Sequence, residues 1–157
     1  MNKESLAILV SQAHGYLNRQ WDAFESQDKK IAGLFALATS LITIVPTVLG
    51  AFGEEGVGWK LIPFAVAASA YVVSLPLHWL AYRPSEVHLV GNAQAYQETW
   101  LELSEEEVLR WTVFDLAERQ TLNDRQLAEK QARLNQAAIA VAAEAVALVV
   151  GVLTLVA

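Results

Sequence analysis

Chemistry is most conspicuous in this chain at Glu144. It is the one charge in the run QAAIAVAAEAVALVVGVLTLVA, residues 136–157. It lies about eight residues, roughly 12 Å, into that run if the run is helical. A carboxylate at such a depth in a hydrocarbon layer costs several kcal/mol unless it is neutral, paired or wet. Its helical neighbours Ala137, Ala140, Ala147 and Gly151 are all small, so the face around it can pack tightly or border a narrow aqueous lumen. Two readings stay open. In one, Glu144 is a neutral acid hydrogen-bonded to Thr39, Thr43 or His78. In the other, a ring of Glu144 side chains lines an oligomeric pore and favours cations.

A second set of polar groups falls in the run Ile31–Phe52. Ala32, Ala36, Ser40, Thr43 and Thr47 recur at steps of three or four, with Thr39 beside them. Small residues let helices approach closely, and hydroxyls bond across a helix contact or face water. With Glu144, the residues Thr39, Thr43 and Thr47 are therefore the pore or gating candidates. A third set is Tyr96, Trp100, Arg110, Trp111, Arg119 and Arg125. Aromatic faces with guanidinium groups can hold a nucleobase and its phosphates; the same aromatics can equally form the core of a small helical layer.

Much chemistry is excluded. The chain has no cysteine, so disulfides, zinc-thiolate sites and thiol nucleophiles are absent. His14, His78 and His88 are scattered and give no metal-ligand spacing. There is no phosphate-binding glycine loop and no nucleophile elbow. The expectation is a protein that is not an enzyme and needs no metal or cofactor. The net charge of −6 disfavours a nonspecific nucleic-acid binder.

The elements that must position these groups are apolar helices. Hydrophobic residues make up 54% of the 157 and charged residues 18%, a balance typical of membrane proteins. Ile31–Phe52 and Trp59–Tyr82 each run about 22 residues, enough at ~1.5 Å per residue to cross a ~30 Å hydrocarbon core. They read as a transmembrane hairpin around the turn at 53–58, which carries Glu54 and Glu55. Trp59 at one end and His78, Trp79 and Tyr82 at the other suit the membrane interfaces. Residues 136–157 read as a third span.

The predicted fold is thus an all-α membrane protein in four parts. Residues 1–30 hold an amphipathic cytosolic helix, with Leu6, Leu9, Ala13, Tyr16, Leu17 and Phe24 at helical steps. Residues 31–82 are the hairpin, 83–135 a cytosolic helical region, and 136–157 the third transmembrane helix. Within 83–135 a helix is expected over 86–103. A longer one follows the capping-box spacing of Ser104 and Glu107. Its stripe Leu109, Val113, Leu116, Gln120, Leu127 and Leu134 is broken near Asn123-Asp124 and calls for a partner helix. Ten basic residues fall on one side of the spans and only Lys60 on the other. The N-terminus and 83–135 are then cytosolic, and the C-terminus is outside.

The junction before the first span reads Asp28-Lys29-Lys30-Ile31-Ala32-Gly33-Leu34. Asp28, Lys30, a small residue and a leucine at the start of a membrane helix resemble the Asp-x-Lys-x-small-x-Leu signature of the SLATT and Pycsar-type membrane effectors. The resemblance covers about residues 5–82. Many members have two spans, and the third span here departs from them. The resemblance implies an oligomeric effector of a bacterial anti-phage system that disrupts the inner membrane when a nucleotide second messenger, or a nucleotide-synthesising partner protein, switches it on.

The functional expectation is a homo-oligomeric channel or pore of about four or more copies in the bacterial inner membrane. The small-residue faces Ala32-Ala36-Ser40 and Ala143-Ala147-Gly151 are expected to join the copies. The alternatives are a non-conducting membrane anchor or sensor that recruits a cytosolic partner, and a holin-like lysis protein.

Overall fold

The computed structural model describes residues 3–52, 58–83 and 103–156, which are helical almost throughout, with no strand among them. We number three helices: α1 (Lys3–Phe52), α2 (Ile62–Tyr82) and α3 (Glu105–Val156). A single 3-10 turn, Trp59–Leu61, leads into α2. All three helices contain stretches long and apolar enough to cross a membrane, which fits a membrane location. All of the helix expected over 86–103 but its last residue, with Tyr96 and Trp100, and the acidic turn residues Glu54 and Glu55 lie outside the described residues.

Local chemistry explains the helix ends. Pro63 sits in the first turn of α2, where its missing N–H costs nothing. That helix stops at Tyr82 because Arg83 precedes a proline and is driven out of the helical region, to φ −51° and ψ 129°. At the start of α3 the expected capping box forms. The Ser104 amide donates to Glu107 Oε2 at 2.9 Å, and the Glu107 amide donates to Ser104 Oγ at 3.4 Å. The Ser104 hydroxyl also donates to Glu107 Oε2 at 2.6 Å. These bonds hold the Glu107 carboxyl below the usual carboxylate range, the side-chain bond from Ser104 first and its backbone N–H second.

The residues fall into two compact units, Met1–Ser26 with Pro84–Glu129, and Gln27–Arg83 with Lys130–Ala157. In the first unit α1 presents Leu6, Val10, Ala13, Leu17, Gln20 and Phe24 as its less exposed stripe, in alternating steps of four and three. The matching stripe of α3 is Leu109, Val113, Leu116, Gln120, Asn123 and Leu127. Asn123 does not interrupt it. The side chain is fully buried, because its Nδ2 donates to Gln20 Oε1 at 3.2 Å and the amide is thereby satisfied inside the seam.

The second unit keeps the same rhythm on three helices. The stripes are Gln27, Ile31, Leu34, Ala38, Leu41, Val45 and Val48 on α1, and Phe64, Ala67, Tyr71, Ser74, His78 and Ala81 on α2. On α3 they are Lys130, Leu134, Ala137, Val141, Glu144, Leu148 and Gly151. Steps of three and four averaging 3.5 residues are the pattern of supercoiled helices meeting along a seam. Ile31, Ala81 and Leu134 pack together toward one end, and Phe64, Ala67, Ala147 and Leu148 toward the other. In lipid, such contacts hold by close approach rather than by desolvation, which is why small residues recur in the seam. Gly151 is the extreme case: a Cβ there would stand 2.8 Å from the Phe64 ring. Ala147 and Gly151 are therefore used inside one chain. This corrects the expectation that they form a face between copies; Ala143 alone of that set is exposed.

Candidate functional site

Glu144 comes from the inner stripe of α3, between the buried apolar residues Val141 and Leu148. It is 0% exposed, and neither carboxyl oxygen has a hydrogen-bond partner. The donors expected for it are engaged elsewhere. The Thr39 hydroxyl donates to the Phe35 carbonyl at 2.9 Å and lies 3.4 Å from the Tyr71 hydroxyl. The Thr43 hydroxyl donates to the Ser40 carbonyl at 2.8 Å. His78 Nδ1 lies 2.8 Å from the Ser74 carbonyl; a carbonyl only accepts, so Nδ1 carries the proton and Nε2 is left with a lone pair in the neutral ring. That Nε2 is enclosed without a partner. His78 is buried, with Phe35 edge-on at 5.6 Å, where an interfacial position was expected. Its ring follows the inner stripe of α2 rather than the aromatic belt. Chemically, Glu144 is an isolated carboxyl that can take a proton, or accept from a donor brought to it by water or by a helix rearrangement.

The hydroxyl row of α1 lies elsewhere. Ala32, Ala36, Ser40, Thr43 and Thr47 are all exposed, and Thr39 is half-buried. The structure thus brings Thr43 and Thr47 onto one outer face of α1 and places Glu144 in the interior.

At the Asp28–Leu34 junction, Asp28 pairs with Lys130 at 2.5 Å, while Lys30 is exposed. The Lys130 ammonium is almost wholly buried, so the pair fixes a charge that would otherwise be costly. Lys130 counts among the ten basic residues that set the expected orientation, but its place in the inner stripe of α3 was not expected. A signal was available, since it stands seven residues from Asn123 and fourteen from Glu144 in the same stripe.

In the unit containing the ligand candidates, the three arginines are paired along their own helix. Arg110 donates to Glu106 at 3.2 Å, Arg119 to both Asp115 oxygens at 2.7 and 2.9 Å, and Arg125 to Glu129 at 3.2 Å. Trp111 is exposed. None of these four lines the groove of about 740 Å³ in this unit, whose polar wall is Gln12, Tyr16, Arg19 and Gln120. Arg19 stacks 5.6 Å from the Tyr16 ring centroid. Tyr16 donates to the Asp124 carboxylate at 3.2 Å. That bond, and the Asp124 charge after it, push the phenol above its ordinary value. Among the described residues no three His, Asp or Glu side chains converge on a possible metal position.

Compared with known proteins, the chain matches no family model, no curated protein and no solved structure.

Proposed function

We propose that this protein is a homo-oligomeric channel or pore-forming effector of a bacterial inner membrane, acting in anti-phage defence. The exposed row Ala32-Ala36-Ser40-Thr43-Thr47 on α1 supports this most directly. A face turned only to lipid gains nothing from hydroxyls or from small side chains, whereas a second helix can approach both. The three spans of one copy are packed against each other, so a water path needs several copies, about four or more. The basic residues put the N-terminus and 83–135 in the cytosol and the C-terminus outside. The resemblance of the Asp28–Leu34 junction to the SLATT and Pycsar-type effectors supplies the trigger, a nucleotide second messenger or a nucleotide-synthesising partner protein.

One observation favours a second reading. Glu144 is enclosed by its own chain, which suits a non-conducting anchor or sensor that recruits a cytosolic partner. Planar-bilayer recordings on the purified full chain separate the two. The channel reading expects conductance that Ala36→Leu abolishes along with the oligomer, and a change of cation preference in Glu144→Gln with the oligomer intact. A silent chain that stays monomeric in detergent and in bilayers overturns it.

A further inference from the structure

We propose that the cleft between α1 and α2 near Tyr82 is a binding site for one anionic phospholipid, its acyl chain in the cleft and its phosphate at the basic collar beside it. The cleft has a volume of about 640 Å³, within the ~300–1,000 Å³ of small-molecule sites. Its walls are Ile31, Ala32 and Phe35 from α1, and Leu75, Pro76, Trp79 and Tyr82 from α2. On each helix these positions recur at helical steps and so share a face. Interfacial aromatics anchor a helix without enclosing space. Here they border a cavity, and Phe35, Trp79 and Tyr82 remain 43%, 74% and 59% exposed, so no other part of the described chain covers them. His78 also lines the cleft, but its Nδ1 is spent on the Ser74 carbonyl and its Nε2 is enclosed. The wall carries no Lys, Arg, Asp or Glu side chain. From Tyr82 to Leu75 the slot runs about 10 Å into the span, a shape for an alkyl chain rather than for a soluble ligand.

The headgroup follows from charge. All basic residues of this unit except Lys60 fall at the span ends that border this lip: Lys29, Lys30, Arg83, Lys130 and Arg133, with Asp28 among them. Asp28 is taken by Lys130, and Arg133 donates to the Leu80 carbonyl at 3.0 Å. Lys30 and Arg83 are exposed and form no ion pair among the described residues. Each stands one residue beyond the cleft wall, Lys30 before Ile31 and Arg83 after Tyr82. Basic pockets between membrane helices bind anionic headgroups. The cleft toward the other end, about 330 Å³ and lined by Leu41, Phe64 and Leu153 among others, has the single basic residue Lys60 near it in sequence where the first cleft has several, and serves as the internal contrast.

The test uses the full chain in vesicles, with Trp79 as the only tryptophan and the other four changed to phenylalanine. Brominated phosphatidylglycerol and brominated phosphatidylcholine are compared as quenchers at equal mole fraction. Brominated phosphatidylglycerol is expected to quench several-fold more effectively. Arg83→Gln lowers that preference about fivefold, the worth of one basic residue near an anionic surface. Ala32→Phe fills the slot and removes the preference with every cation intact. Inorganic phosphate in excess leaves it unchanged. Equal quenching by both lipids, a preference that survives Ala32→Phe, or its loss to free phosphate each overturns the proposal. So does absence of quenching with cross-links between copies through the cleft, which would assign the cleft to a second copy.

Discussion

The seams of the two units bury polar residues to opposite ends. In the first unit, Gln20 Nε2 donates to the Gln120 carbonyl at 3.0 Å and to Asp124 at 2.8 Å, while Gln20 Oε1 accepts from Asn123. Every group that Gln20 brings is used. In the second unit, Glu144 occupies the equivalent stripe and both its oxygens stand without a partner. A satisfied amide pair fixes register at modest cost, since each hydrogen bond nets about 0.5–1.5 kcal/mol. An unsatisfied carboxyl in a membrane helix gives no such return, and the default reading of such a residue is functional. Burial of a polar side chain therefore means different things a few turns apart along α3.

The largest effect that separates the two seams is steric. Gly151→Leu must displace the buried Phe64 ring, and overpacking of this kind costs about 1–3 kcal/mol or more. Thermal unfolding in detergent, followed by circular dichroism, should show the loss; an unchanged midpoint would mean the second unit is loosely packed. Next comes Asn123→Leu, which leaves Gln20 Oε1 buried without its donor and should destabilise by about 1–3 kcal/mol in the same assay. Glu144→Leu should go the other way. Replacing an unpartnered polar group by an apolar one removes a desolvation cost, so the chain should gain roughly 1 kcal/mol while any conductance changes. Destabilisation by Glu144→Leu would reveal a partner for the carboxyl and erase the contrast. The smallest effect lies at the α3 cap. Glu107 has a lowered pKa in the folded chain, so its contribution is fully present above the ordinary carboxylate value of about 4.3 and is lost as pH falls through the lowered one. Amide exchange at Val108 and Leu109 should rise only under those acidic conditions. Ser104→Ala should shift the onset of that rise to higher pH, because it removes the largest cause of the lowering.

The spans and the capping box were legible because each is a local signal: apolar length for the first, a serine and a glutamate three apart for the second. The continuity of α3 was not. Residues 105–135 and 136–157 differ so sharply in composition that they read as separate elements, yet the stripe passes from Leu127 through Lys130 to Leu134 without a change of phase. Asn123 looked like a break because an amide counts as polar until its partner is known, and Gln20 lies more than a hundred residues away in the chain. The seat of Glu144 was legible in depth but not in direction. Small neighbours suit both a pore and a tight seam, and only Phe64 against Gly151 shows which side of α3 is closed. The pairing of Asp28 with Lys130, like the groove at Tyr16 and Arg19, joins segments whose adjacency no local spacing encodes.

The unbroken alternation of threes and fours also sets which changes of length the chain can absorb. Deleting one residue between Ala137 and Val141 would turn everything after it by about 100°. Glu144 would then leave the seam for the lipid, and Gly151 would no longer lie under Phe64. A loss or gain of seven residues would return each stripe to its own side, shortening or lengthening the helix by about 10 Å. Related chains should therefore differ in the length of α3 by sevens, or compensate a single-residue change with another close by, so that the place of Glu144 is held by counting as much as by side-chain identity.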